Sequence, residues 1–374
     1  MQRFQDDPGY PQMALPNVDP TLYEALLAEK CAAVREDFAA FALPPVEVFP
    51  SPPEHYRMRA EFRVWHDGDD LYYVMFEPGN KRQPVRLDRC PMVSRRIHDV
   101  MFPMLEVIRA DPALRFRLFQ VDFLSTLSGE LLVTLLYHRP LEDAWQTAAR
   151  ALAQQFAIEI IGRSRKSKIE LGRDHVIERL DINGREYRYK QVENCFTQPN
   201  AEVCRSMIGW ALDVTAGAGG DLVELYCGNG NFTLPLAQNF GRVVATEIAK
   251  VSVRAAEFNI AENGIDNIDV VRMSSEDFSQ VLKGEREARR TAHLDLASCN
   301  FTTVLVDPPR SGLDAETVAQ VSEYQHIVYI SCNPETLKDN LATLTQSHRI
   351  ERFAIFDQFP YSHHLECGIY LTRQ

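Results

Sequence analysis

The 374-residue chain lacks any apolar run near the ~18 residues that a membrane-crossing helix needs. Its first twenty residues, MQRFQDDPGYPQMALPNVDP, lack the apolar core of a secretory signal. These absences argue against a membrane enzyme or an exported one, and predict a loose leader on a cytoplasmic protein. Eight cysteines (Cys31, Cys90, Cys195, Cys204, Cys227, Cys299, Cys332, Cys367) include no CxxC pair, so zinc-ribbon and iron–sulfur spacings are missing. A large cytosolic chain needs no disulfides, and a free cysteine is by default a small apolar filler. Positive charge is scarce as well. A net charge of −12 weighs against a polyanionic partner, although global charge does not fix local fields. Internal repeats and low-complexity tracts are also missing.

What is present suggests two or three domains, with 45% apolar residues to fill their cores. Residues 20–42 carry helical periodicity through Leu22, Leu26, Leu27, Val34 and Phe38. The proline-dense LPPVEVFPSPPEH that follows reads as a linker. YRMRAEFRVWHDGDDLYYVMFE reads as two strands about a turn. Helices are expected over 92–110 and 141–156, strands at RLFQVDFLSTLS, ELLVTLLYH and AIEIIGRS, and a basic loop at RSRKSK. Two windows are locally basic: Tyr56–Arg96 has nine Lys/Arg against six Asp/Glu, and Ile161–Lys190 has nine against five. On charge alone, solvated strand faces explain them as well as a polyanion site does.

From about residue 200 the pattern alternates. AEVCRSMIGWALDVT is helical, and DLVELY, RVVATE, NIDVVRM, FTTVLVD and HIVYIS are strands separated by helical segments, which implies a parallel, doubly wound sheet. The expected class is therefore α/β. Residues 1–50 form a leader, an N-terminal helix and a linker; 51–190 form an α+β domain; 191–374 form a Rossmann-like domain.

The first of these strands runs into Cys227-Gly228-Asn229-Gly230-Asn231 and then a helix, the setting in which glycines let a ligand approach the backbone. Glu247 ends the next strand, 19 residues beyond Gly228, where an acid can hold both ribose hydroxyls. The third glycine of a dinucleotide fingerprint is absent, Thr233 standing in its place. That favours S-adenosylmethionine (SAM), which has no pyrophosphate, over NAD. SSEDF, after the third strand, reads equally as an adenine-facing loop or a helix N-cap.

Asp307-Pro308-Pro309-Arg310 ends the fourth strand beside the point where strand order reverses. It resembles the Asp-Pro-Pro-aromatic signature of amino-group methyltransferases but lacks the aromatic, and it lacks the Pro-Cys that RNA cytosine-5 methyltransferases often carry there. The fifth strand ends in YISCNPETL and brings Cys332 to the same edge. A thiolate there can add to carbon 6 of a uracil and make carbon 5 nucleophilic, provided that a base then removes the carbon-5 proton. ERFAIFDQ and ECGIYLT read as two final strands, the last antiparallel beside the fifth. That places Glu366 near Cys332 as candidate base, with His363 and His364 as competitors. HHLE has no further acid–histidine partners, so no metal is expected.

Together FTQPN, ELYCGNGNFT, DPPRSGLD, YISCNPETL and HHLECG resemble the SAM-dependent RNA uracil-5-methyltransferases. HYRMRAEFRVWHDGDDLYYVMF and IGRSRKSKIEL resemble the bacterial tRNA branch of that family, which makes 5-methyluridine in the T-loop. Family members that act on ribosomal RNA usually carry four N-terminal cysteines for an iron–sulfur cluster, and many add a β-barrel; neither is seen here. The resemblance implies a mostly parallel seven-stranded methyltransferase sheet behind an RNA-binding domain. It implies Cys332 as nucleophile, Glu366 as base, and SAM contacts from Gln198, Tyr226, Asn231, Glu247 and Asp307. Arg310 would meet RNA or uracil. S-adenosylhomocysteine would be released, with no metal and no iron–sulfur cluster. The partner would be the tRNA T-arm, with tRNA-like RNAs as further substrates and no obligate protein partner. Alternation predicts that Arg57, Arg59 and Arg63, with Tyr72 and Phe76, form one RNA-gripping sheet face. The rival readings are a ribosomal-RNA uracil-5-methyltransferase, a non-enzymatic RNA-binding or folding factor, and an amino-group methyltransferase.

Overall fold

The computed structural model describes residues 18–77 and 80–374; most of the expected leader, residues 1–17, lies outside them. The first half comprises α1 (Tyr23–Asp37), β1 (Val46–Phe49), β2 (Arg59–Asp67), β3 (Asp70–Glu77), β4 (Asn80–Arg86), α2 (Arg95–Ala110), α3 (Pro112–Arg115), β5 (Leu118–Ser125), β6 (Leu131–Tyr137), α4 (Asp143–Phe156), β7 (Glu159–Ser164), β8 (Ser167–Glu170), β9 (His175–Ile182) and β10 (Arg185–Val192). The second half comprises α5 (Ala201–Val214), β11 (Asp221–Leu225), α6 (Thr233–Leu236), β12 (Val243–Thr246), α7 (Lys250–Glu262), β13 (Ile268–Val271), α8 (Ser275–Leu282), β14 (Phe301–Val306), α9 (Ala315–Val321), β15 (His326–Ser331), α10 (Pro334–Leu344), β16 (His348–Phe356) and β17 (Glu366–Arg373). No helix among the described residues is long and apolar enough to cross a membrane.

Strands β4-β3-β2-β5-β6-β7-β8 form one sheet, antiparallel except where α4 carries the chain from β6 to a parallel β7. Period-2 alternation on β2 buries Ala60, Phe62 and Val64, and α2 and α4 cover that face with Ile97, Met101, Met104, Trp145 and Leu152. The opposite face of β2 carries Arg59, Glu61, Arg63 and Trp65. The expected arginine stripe is therefore only partly right. Arg57 precedes β2, in an isolated bridge to Val93, and Glu61 separates the two remaining arginines. The basic loop RSRKSK is also more ordered than expected: β7 and β8 run into it, leaving Arg165 and Lys166 between the paired Ser164 and Ser167.

The other large sheet has the order β1-β16-β17-β15-β14-β11-β12-β13. The seven expected strands are present, with β17 alone antiparallel, between β15 and β16. The eighth strand is a correction. β1, inside the segment read as a linker, pairs parallel with β16, Val46 facing Phe353 and Phe49 facing Phe356. Prolines on both sides of it suggest a spacer, but proline at the ends of an edge strand costs no ladder bond. Helix α1 sits on the same layer. Tyr23, Leu27, Cys31 and Val34 fall on one helical stripe and pack with Phe353, Ile369 and Leu371. Helices α8, α9 and α10 share that face, while α5, α6 and the β9–β10 hairpin cover the other. Two asparagines of the α7 region, Asn263 and Asn259, receive the hairpin's backbone N–H groups from Arg188 and Lys190.

Candidate active site

Strand register gathers the chemistry at one sheet edge. Leu225, Thr246 and Val306 lie level on β11, β12 and β14, so the residues that follow them, Tyr226, Glu247 and Asp307, emerge together. Strand order reverses between β11 and β14, where ligands bind in such sheets. Ser331 on β15 pairs with Cys367 on the antiparallel β17, which sets Cys332 across from Glu366.

The turn after β11 is bent by its backbone. Tyr226 has φ +65°, a conformation that costs a non-glycine residue about 1–3 kcal/mol. Its hydroxyl is fixed on Ser275 Oγ at 2.8 Å. Gly230 has φ +86°, where any side chain is strained, and a Cβ there would stand 2.5 Å from Leu234 Cδ1 and push that side chain aside. Glu247 accepts from Gly228 N at 3.1 Å and Ala249 N at 2.6 Å, joining the end of β12 directly to the glycine loop. Asn231 Oδ1 accepts a bond from Cys204 Sγ at 3.3 Å, while its Nδ2 is buried without a partner. Gln198, in the turn before α5, accepts from Gln358 Nε2 at 3.2 Å. SSEDF takes the second of its two readings: Ser274 caps α8 by accepting from Asp277 N at 3.2 Å.

Between this edge and the β9–β10 hairpin lies a cleft of about 600 Å³, lined by Gln198, Tyr226, Gly228, Asn231 and Asp307. Two acids that the sequence reading passed over line it too, Glu178 and Glu224. Each had a signal. Glu178 alternates with the buried Val176, Leu180 and Ile182 on β9, and Glu224 interrupts the apolar run of β11. Burial pushes the carboxyl pKa of Glu178 up to about 7, of Asp307 to about 7 and of Glu224 to about 8. Glu224 Oε2 and Asn231 Nδ2 remain unpartnered. A pocket with three acids and no cation on its wall suits a ligand that brings positive charge. SAM, with a sulfonium and an ammonium, fits these acceptors; Glu247 is tied to the cleft's glycine loop but does not line the cleft itself.

The sign of the pH dependence follows. Cationic ligand favours the ionised acids, so binding releases protons, and affinity rises with pH wherever the free protein still holds them. Between pH 5.5 and 7.5, below the range where an α-amino group titrates, the SAM Kd should fall by up to tenfold per pH unit for each proton released. Calorimetry across that window checks this, and a flat profile would contradict it. In the free protein the same acids hold more protons folded than unfolded, so their contribution to stability declines as pH rises from about 4.5 to 8.

At the other end of the edge, Cys332 is half-buried. Burial pushes its thiol up to about 12, Glu366 and Asp307 add to the shift, and Arg310 opposes it. Cys332 stands just ahead of α10. Asn333 caps that helix itself, accepting from Glu335 N at 3.1 Å. Glu366 is buried, and desolvation followed by Asp307 holds its carboxyl well above the usual range. Its Oε2 has no partner. Asn333 Nδ2 donates to the Arg310 carbonyl at 3.0 Å, tying the DPPR turn to the cysteine turn. The rings of His363 and His364 lie 4.0 Å apart, tilted at 41°. Burial, then the neighbouring His363, holds His364 down at about 4, so its imidazole is neutral at neutral pH. No group of residues able to hold a metal occurs among the described residues. Arg59 reaches this region from the other sheet, its guanidinium donating to the Cys195 carbonyl just ahead of FTQPN.

The tRNA (uracil-5-)-methyltransferase family model matches residues 22–374. A Shewanella denitrificans protein named tRNA/tmRNA (uracil-C(5))-methyltransferase is 56% identical over 366 residues, 97% of this chain and 100% of that one. A Vibrio cholerae protein of the same name is 54% identical over 369 residues, again 97% and 100%. Among solved structures, the Pyrococcus abyssi tRNA (uracil-54, C5)-methyltransferase in complex with S-adenosyl-L-homocysteine is similar, with a TM-score of 0.70 at 22% identity over 94% of this chain and 82% of that one.

Proposed function

The chain belongs to the tRNA (uracil-5-)-methyltransferase family, and from that premise we propose that it methylates carbon 5 of a T-loop uridine in tRNA, and of the matching loop in tmRNA, through a covalent Cys332 adduct. It is a SAM-dependent uracil-C5 methyltransferase of tRNA and tmRNA. SAM supplies the methyl group.

The observation that carries the covalent reading is the facing pair at the β15–β17 edge, a thiol and an unpartnered carboxyl. Cys332, once its proton is lost to solvent, bonds as thiolate to carbon 6; the electron pair of the 5,6 double bond makes carbon 5 the nucleophile, which takes the methyl group as its bond to the SAM sulfur breaks and S-adenosylhomocysteine leaves. Glu366 then accepts the carbon-5 proton. The double bond re-forms, and the carbon–sulfur bond breaks with its electron pair returning to sulfur. Arg310, the cation beside both groups, favours the ionised thiol and the ionised carboxyl.

A uridine in a folded loop has to leave its stack to reach Cys332. The outer face of β2, β5 and β6 offers the grip. Arg63 lies 3.6 Å over Phe119, which packs on His138 at 4.1 Å. A basic group stacked on aromatic ones suits the shape and unpaired bases of an RNA loop. Arg59 links that face to FTQPN.

Methyl transfer from labelled SAM to T-loop RNA, with and without the target uridine, tests the substrate. The same RNA carrying 5-fluorouridine should trap a covalent complex, because fluorine cannot leave as a proton; no trapped complex would sink the mechanism. Arg59→Ala should weaken RNA binding by about tenfold, as loss of a charge-assisted contact of about 1.5 kcal/mol implies, and unchanged binding would remove Arg59 from the RNA face.

A further inference from the structure

Glu366 follows a nine-residue connection, Asp357–Leu365, that leaves β16 and has no helix or strand of its own. A base at the end of such a segment needs its place set by something else, and its own Oε2 has no partner. The ammonium of Lys30, on α1, meets this segment at both ends. It donates to Asp357 Oδ1 at 2.6 Å, to the Phe359 carbonyl at 2.9 Å and to the His364 carbonyl at 3.3 Å. An ammonium has three hydrogens, and all three are used on this one connection. Lys30 is 10% exposed and Asp357 1%, so water does not compete. His364 stands two residues before Glu366. At the other end, Gln358 accepts from Asn200 N at 3.0 Å and donates to Gln198, so the turn before α5 keeps an anchor that does not involve Lys30.

We propose that Lys30 is a positioning residue for the proton abstraction: its ammonium clamps the β16–β17 connection from both ends and so holds Glu366 against the uracil–Cys332 adduct. This rests on the reading of Glu366 as base. The clamp touches neither substrate nor SAM. Its loss should spare the steps before proton removal and slow that step alone, since a displacement of about 1 Å at a reacting group costs about 10²-fold.

The test uses the full-length enzyme, SAM and uridine-containing T-loop RNA under single-turnover conditions. Denaturing gels read the enzyme fraction held as methylated covalent adduct, and calorimetry reads SAM affinity. Lys30→Met removes the clamp. Lys30→Met/Asp357→Asn removes it without leaving a buried carboxylate uncompensated, so that the fold is kept. Both should accumulate adduct and resolve it about 10²-fold more slowly than wild type, with SAM affinity unchanged. Adduct breakdown at the wild-type rate, rate loss without adduct, or loss of fold in both variants overturns the proposal and leaves Lys30 a stabilising residue only. Glu366→Gln runs in parallel: if it too accumulates no adduct, the reading of the base has failed, and the clamp with it.

Discussion

Cys332→Ala should bind SAM as wild type does and transfer methyl groups at least ~10⁴-fold more slowly, about 5.4 kcal/mol of lost transition-state stabilisation. The size of the effect follows from the substrate. Carbon 5 of uracil is not nucleophilic enough until sulfur has added at carbon 6, so removing the sulfur removes the route rather than one contact along it. The selectivity follows from geometry. Cys332 does not line the cleft that holds Gln198, Tyr226, Asn231 and Asp307, so the cofactor site survives. Fold stability should change little, because a half-buried thiol becomes a methyl group and no cap is lost; Asn333, not Cys332, caps α10. SAM calorimetry and single-turnover methyl transfer on one preparation separate the cases. An amino-group methyltransferase would keep its activity in this variant, and a purely RNA-binding protein would have none to lose.

Glu366→Gln stalls later. The amide keeps the size of the carboxyl but cannot take the carbon-5 proton, so the methylated adduct forms and stays. Loss of a general base costs about 10²–10⁴-fold in the step it serves, and here that step is release. The preceding addition does not slow. After burial, Glu366 is the largest influence that holds the Cys332 thiol up, and a neutral amide in its place does not add to that push. The variant should therefore load onto RNA at least as fast as wild type and persist as a denaturation-resistant complex. Rapid-quench time courses resolved on denaturing gels check both limbs. Slow loading with no accumulation would assign Glu366 to an earlier step.

The catalytic half was legible because its signals are local. Each functional turn directly follows an apolar run, so a strand's end in sequence is also its end in space. Cys332 and Glu366 could be placed opposite each other once the last strand was taken as antiparallel. Gln198 came from resemblance, not from physics, since a turn before a helix looks like any cap. Other features depend on partners far along the chain. β1 is four residues between prolines and becomes a strand only because β16 offers an edge. Lys30 looks like one more solvated helix lysine until Asp357 and two carbonyls are brought to it. The acidic lining of the cleft needed the β9–β10 hairpin to fold over it, although the misfit of Glu178 on an apolar face was visible in the alternation. The burial that holds the Cys332 thiol up was not legible in the sequence.

The pairing of β1 with β16 imposes an order of events on the nascent chain. Val46 and Phe353 are partners separated by roughly 300 residues, so at about 5–20 residues per second the first strand waits on the order of 15–60 s for the strand it joins. Helix α1 waits with it, because its partners Phe353, Ile369 and Leu371 are also far later in the chain. The sheet of β2 to β8 draws all its strands from one continuous stretch and can close during that interval. The methyltransferase sheet is thus completed by segments made early and late, and loss of α1 and β1 strips a layer packed against β16 and β17.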